Sequence, residues 1–339
     1  MGKGFKLRRC INIRMDILEG KRILFIAPVF HDYHHLVIRK IEELGAHVNF
    51  FPERDYSIIF KVFNNFSSSF LKNYQKFHYD KISKKFISDE YDYLFVIRGY
   101  LMPIEFIERF KSKNPKAVLI MYQWDSNETN PFSHLLEYFN VCYSFDFQDC
   151  STFKRLQYLP LFYTDDILPF VNSKEYPDYD FFFMGWFFPE RYQAVLKFKQ
   201  FALNNNYTIK AFLFMPFTSY VKAILKRTSI DRSIVSFKPM KRKQYLEILS
   251  KSRVMVDVSN PNQTGLAMRV VEALATNTKV LTNNYRLTED SNIYNKAAVA
   301  FFDDHNPQLS NDFLDNNRIY TNSSVRSIEE WLKLIFAKS

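Results

Sequence analysis

The sequence predicts an α/β protein of two Rossmann-like domains, each a parallel sheet covered by helices, facing one another across a cleft. Three observations predict it. Short apolar runs alternate with amphipathic helical patterns over 21–160 and again over 179–326, as parallel sheets with crossover helices require. Residues 161–178 break the pattern with Pro169, Pro177, Asp165, Asp166, Asn172 and Ser173, and read as a linker. The length of 339 residues suits about two domains at ~150 residues each.

A basic extension, 1–20, precedes the first strand at 22–28, an apolar run followed by a polar loop. His34–Leu44 carries Leu36, Val37, Ile41 and Leu44 at helical spacing, with Gly45 as its stop. His47–Phe51 is the next strand, completing a βαβ unit. Residues 55–90 are aromatic, lysine-rich and helical in pattern. Strands then follow at Tyr91–Ile97, Ala117–Tyr122 and Val141–Phe145, separated by helices at Pro103–Phe110 and Phe132–Phe139, with a short helix at Asp149–Leu156. In the second half, strands are predicted at Asp180–Met184, Thr208–Phe214, Val235–Phe237, Arg253–Val258, Lys279–Thr282 and Ala298–Phe302. The intervening helices are Pro189–Leu203, Lys241–Ser250 and Gly265–Thr276. A terminal helix, within 327–339, sets Trp331, Leu332 and Ile335 on one face.

Composition narrows the chemistry. Apolar residues make 47% and charged residues 24% of the chain, ordinary for a folded globular protein. Seven glycines against 36 phenylalanines and 21 tyrosines exclude a glycine-rich phosphate loop, and neither GxGxxG nor the P-loop pattern occurs. The net charge of +10 favours anionic partners. No nucleic-acid module pattern appears, so nucleic acid is not an expected partner. Cys10, Cys142 and Cys150 lack metal-ligand spacing and fit a reducing cytoplasm. No apolar run approaches the ~18 residues of a membrane span, and no secretory signal pattern is seen.

The most informative stretch runs from Val254 to Thr282: strand, polar loop, helix, strand. The loop Ser259–Thr264 delivers Gly265 to the expected start of the helix. Free N–H groups there, helped by the helix dipole, suit an anion, and glycine permits close approach. Arg269 lies one turn inside and Glu272 two turns inside. An arginine neutralises a diphosphate and a carboxylate takes two ribose hydroxyls. A glutamate in an amphipathic helix is also an ordinary solvated residue, so the motif counts as a unit.

With Gly265, Arg269, Glu272, Ala273 and Ala275 in place, the segment resembles the nucleotide-sugar site of GT-B glycosyltransferases. The resemblance extends to both halves, the linker and the terminal helix, which in that fold crosses back to the first domain. Within the family the chain looks most like the bacterial branch of CgeB-like proteins and of lipopolysaccharide or capsule glycosyltransferases, in which a strand ending Phe-Met-Gly185 precedes Arg191. Retaining members carry two glutamates eight positions apart; here the first is Thr264, which leaves the stereochemical course open. Asn277 stands where glycine is usual.

The resemblance implies a donor site of Gly185, Arg191, Thr264, Gly265, Arg269 and Glu272, with the turn Lys238-Pro239-Met240 against the base. It implies no metal and no cofactor beyond a nucleotide-sugar substrate, a UDP-sugar favoured. The first domain would hold the acceptor, a glycan or lipid-linked glycan. His31 and Asp32 after the first strand, and Asp125 after the fourth, are candidate general bases; the sequence does not choose among them. Eight basic residues against Asp231 over 222–243, and seven basic against two acidic over 1–22, suit peripheral contact with an anionic membrane. The reading that competes is a non-catalytic two-domain nucleotide- or sugar-binding protein.

Overall fold

A computed structural model describes residues 18–30, 32–57, 60, 68–86, 89–171, 177–315 and 325–337. His31 and most of the basic extension lie outside the described residues. The first domain runs β1 (Arg22–Ala27), α1 (Tyr33–Glu43), β2 (His47–Pro52), α2 (Ser68–Phe86), β3 (Tyr93–Ile97), α3 (Ile104–Lys113), β4 (Val118–Gln123), β5 (Val141–Ser144), α4 (Phe147–Thr152) and β6 (Leu156–Tyr158). Its six strands are ordered β2-β1-β3-β4-β5-β6, all parallel. Such strands are buried on both faces, which is why they read as unbroken apolar runs.

A two-residue strand, β7 (Phe162–Tyr163), leads into the second domain: β8 (Tyr179–Trp186), α5 (Pro189–Asn204), β9 (Ile209–Phe214), α6 (Phe217–Leu225), β10 (Val235–Ser236), α7 (Arg242–Ser250), β11 (Ser252–Asp257), α8 (Met268–Ala275), β12 (Lys279–Thr282), β13 (Val299–Phe301) and α9 (Asn311–Asp315). The strand order is β10-β9-β8-β11-β12-β13, again parallel. Strand order reverses at β1/β3 in one sheet and at β8/β11 in the other. Ligands of open α/β sheets sit outside the carboxyl ends of the strands at such switch points.

The chain returns through β14 (Arg326–Ser327), which pairs in parallel with β7, and ends in α10 (Ile328–Ala337). This helix packs on the first domain, as the resemblance implied. Trp331 is fully buried, its ring 4.3 Å from Phe162, 4.8 Å from Tyr122 and 6.2 Å from Phe95. Phe336 lies against Tyr93 and Phe95. Trp331→Ala should cost about 3–5 kcal/mol, the usual loss for a large aromatic leaving a cavity. Denaturant unfolding measures it; a loss under about 1 kcal/mol would mean the helix is not part of the cooperative core.

Several predicted elements shift. The stretch read as a linker carries β7 and a 3-10 turn over Asp165–Phe170. Phe132–Phe139 winds as a 3-10 helix over Ser133–Tyr138. The short helix expected at Asp149–Leu156 begins at Phe147, because the Asp146 carboxylate accepts the Asp149 N–H at 3.0 Å and caps it. Helix α6 was not predicted. The helix expected to open at Gly265 opens at Met268 instead, Ala267 being extended at φ −69°, ψ 153°.

Candidate functional site

The β8/β11 switch point is built from five residues. Strand β8 carries Gly185 to the carboxyl edge, and α5 starts at Pro189, with Pro at its first position. That places Arg191 back over the strand end. A Cβ on Gly185 would press on the Phe183 ring at 3.1 Å and touch the Arg191 side chain at an ordinary 3.6 Å. Arg191 is buried and donates from Nε to the Val258 carbonyl at 3.1 Å and from Nη1 to the Trp186 carbonyl at 3.1 Å. Arg269, from α8, donates to the same Val258 carbonyl at 2.9 Å and pairs with the Asp257 carboxylate at 2.6 Å. Asp257 is held in turn by the Thr282 hydroxyl at 2.7 Å.

At the edge of the sheet the two guanidiniums thus meet on the Val258 carbonyl, and of the two only Arg269 is ion-paired to Asp257 among the described residues. Among the described residues, no second carboxylate bonds either of them. Burial first, and Arg269 second, push the Arg191 guanidinium down to about 9, with Asp257 opposing. A guanidinium keeps its proton in a folded protein. The two guanidiniums therefore carry one more positive charge than Asp257 balances.

The loop after β11 crosses to the first domain. There the N–H groups at Thr264 and Gly265, expected to meet a ligand anion, are taken by the chain's own Asp146. Its Oδ2 accepts from Thr264 N at 2.6 Å and Gly265 N at 3.2 Å, and its Oδ1 accepts from the Thr264 hydroxyl at 2.8 Å. The contact is close: any Cβ at Gly265 would collide with the Phe145 carbonyl and ring. Glycine is required here by approach, though of a neighbouring domain and not of a phosphate.

Beside this contact lies a pocket of about 240 Å³ between the domains, lined among others by Glu128, Asp146, Asp149, Asn262 and Thr264. Burial pushes the Asp149 carboxyl up to about 6; the Asn127 N–H opposes, and the charges of Asp146 and Glu128 add to the rise. Between the ordinary value near 4 and about 6, the folded state then holds the extra proton, so this group's contribution to stability falls as pH rises through that window. Asp149→Asn should remove the dependence, leaving the variant more stable than wild type above pH ~6 by on the order of 1 kcal/mol. Unfolding followed from pH 4 to 8 checks it; parallel curves for the two proteins would contradict it.

Glu272 is 1% exposed. Its Oε1 accepts from the Tyr33 hydroxyl at 2.8 Å, across the domain boundary, and from Arg242 Nη1 at 2.5 Å. Arg242 also reaches Asp166 through Nε at 2.8 Å and Thr164 through Nη2 at 3.0 Å. The residue expected to hold a ribose is, in this conformation, the centre of an interdomain ion-pair network.

In the first domain, Asp125 follows β4, pairs with Arg98 at 3.1 Å and accepts from Gln263 of the second domain at 3.2 Å. Arg98, left-handed at φ 69°, also bonds Glu53, which is fully buried. Asp32 is exposed, left-handed at φ 62°, and heads α1 without a side-chain cap. Of the two described base candidates, Asp125 is the one that touches the opposite domain. Lys238 and Pro239 are exposed after β10, and Met240 is buried.

Asp146, Asp257 and Arg242 were missed in the sequence. Asp257 had a signal, a lone charge closing an apolar strand; Asp146 had the N-cap position. Arg242 lay hidden in a basic run.

No protein-family model and no curated protein matches the chain. Solved structures do. An alpha,alpha-trehalose-phosphate synthase (UDP-forming) from Burkholderia xenovorans matches at TM-score 0.58 and 11% identity over 94% of this chain and 99% of that one. A UDP-GlcNAc 2-epimerase from Neisseria meningitidis bound to UDP-GlcNAc matches at 0.54 and 8%, over 94% and 100%. The apo form of the lipopolysaccharide outer core galactosyltransferase WaaB matches at 0.51 and 11%, over 93% and 94%. At these identities the likeness is one of fold. Two parallel-sheet Rossmann-like domains with a returning terminal helix make it the GT-B fold.

Proposed function

We propose that this chain is a glycosyltransferase that moves a sugar from a nucleotide-diphosphate donor, with UDP-sugars favoured, to a glycan precursor of the lipopolysaccharide or capsule type. The observation that carries this is the meeting of buried Arg191 and half-buried Arg269 on the Val258 carbonyl at the β8/β11 switch point, with Asp257 paired to Arg269 as the one carboxylate bonded there. A donor diphosphate supplies the missing negative charge there. The UDP-forming synthase and the galactosyltransferase among the fold neighbours support the reading.

In the reaction the acceptor hydroxyl attacks the anomeric carbon of the donor sugar. A C–O bond to the acceptor forms and the C–O bond to the diphosphate breaks, with its electron pair passing to the phosphate oxygen. The hydroxyl proton goes to a first-domain carboxylate, for which Asp125 is best placed. The two arginines, in place of a bound ion, neutralise the leaving diphosphate. Lys238-Pro239-Met240, after the edge strand β10 of the same sheet, would face the base.

In this reading the conformation described is a closed one. Asp146 on the Thr264 and Gly265 N–H groups, and Tyr33 on Glu272, both come from the first domain. Parting the domains would free these groups for phosphate and ribose while Arg242 stays on Glu272. Among the described residues no helix is long and apolar enough to cross a membrane; we place the enzyme in the cytoplasm, at the inner membrane face.

A thermal-shift screen of UDP-, GDP-, ADP-, TDP- and CMP-sugars tests the proposal, since a bound ligand raises apparent stability by mass action. A rise with one diphosphate class, accompanied by slow donor hydrolysis, is expected. A rise without turnover in the presence of any glycan acceptor would favour a binding protein. No rise with any donor would overturn both readings.

A further inference from the structure

Helix α6 has no buried residue. Phe217, Val221, Ile224 and Leu225 are 62%, 40%, 52% and 78% exposed, and their spacing puts them on one face. An apolar face left in water marks a contact surface. Exposed Lys222, Lys226, Arg227 and Arg232 surround it. The only acid between 217 and 246 is Asp231, and its carboxylate is already held by Lys199 at 2.6 Å and by Ser233. The base of the patch is organised: Arg232 stacks on Tyr220 and Phe237 at 5.3 and 4.7 Å, and Phe237 meets the Phe217 ring at 5.7 Å.

We infer that α6 docks on an anionic lipid bilayer, its four apolar side chains entering the headgroup–acyl boundary and its basic rim meeting lipid phosphates. The combination of apolar face and cationic rim is that of an in-plane membrane helix. A second copy fits less well, because it would bring two uncompensated cationic rims together. The inference stands apart from the transferase reading, since lipid contact involves no donor residue.

Vesicle co-sedimentation tests it with the full chain. Binding is expected to vesicles of phosphatidylcholine containing about 30% phosphatidylglycerol, with little to phosphatidylcholine alone, and to weaken as salt rises. Ile224→Ser with Leu225→Ser should weaken binding at least about tenfold at an unchanged melting temperature. Lys222→Gln with Lys226→Gln should abolish the preference for the anionic lipid. Wild type that ignores anionic vesicles would overturn the inference. So would variants that bind as wild type does, or a dimer seen by light scattering that the serine pair dissolves while lipid binding is absent.

Discussion

Arg242→Met should lower the unfolding free energy by about 3–5 kcal/mol, the cost of removing one partner from a buried ion pair. The substitution keeps an unbranched apolar stem but removes the guanidinium, leaving Glu272, 1% exposed, with the Tyr33 hydroxyl. Asp166 loses its ion-pair partner as well and keeps the Thr164 hydroxyl. Burial would by itself raise the Asp166 carboxyl; hydrogen bonds from Arg242 and Thr164 outweigh it and hold the group below its ordinary value. A carboxylate held low contributes stability above its unfolded value and loses it as pH falls through the folded one. Arg242→Met should therefore also flatten the acid limb of the stability curve. Adding Glu272→Gln should recover part of the loss, because the two residues act as one network. A loss under about 1 kcal/mol by denaturant unfolding would mean the domains are held together by their apolar contacts alone.

Arg191→Met should act in the opposite sense on stability and abolish function. The arginine is buried near Arg269 and, among the described residues, bonds main-chain carbonyls and has no ion-pair partner, so removing it relieves unbalanced charge, and the melting temperature should hold or rise. Affinity for UDP should fall about 10²–10³-fold, the scale of a preorganised charge on a developing anion. Such a trade of stability for activity is characteristic of functional sites. Calorimetric titration and a melt of the same sample test both halves. A variant that unfolds early and still binds UDP would make Arg191 a structural residue.

The fold was legible because parallel strands buried on both faces are plain apolar runs, and crossover helices keep their period. Helix α6 escaped because its apolar residues face outward, between Pro216 and a basic run. The site was legible only as far as local chemistry reaches. Gly265, Arg269 and Glu272 were found as a motif, yet their partners lie far off in sequence: Asp146 is 119 residues from Gly265 and Tyr33 is 239 from Glu272. Nothing local distinguishes a carboxylate waiting for ribose from one sealed by an arginine thirty residues upstream. The start of α8 was misplaced for a related reason. Residues 265–267 stay outside the helix because Gly265 is pinned against Phe145, a contact made by tertiary packing that outranks helix-start preference.

A crystal structure of the protein with UDP measures the central assignment directly. The diphosphate is expected at the carboxyl ends of β8 and β11, its oxygens within hydrogen-bond reach of both Arg191 and Arg269. A diphosphate seated anywhere else, with the two guanidiniums still turned to Val258, Trp186 and Asp257, would contradict the assignment.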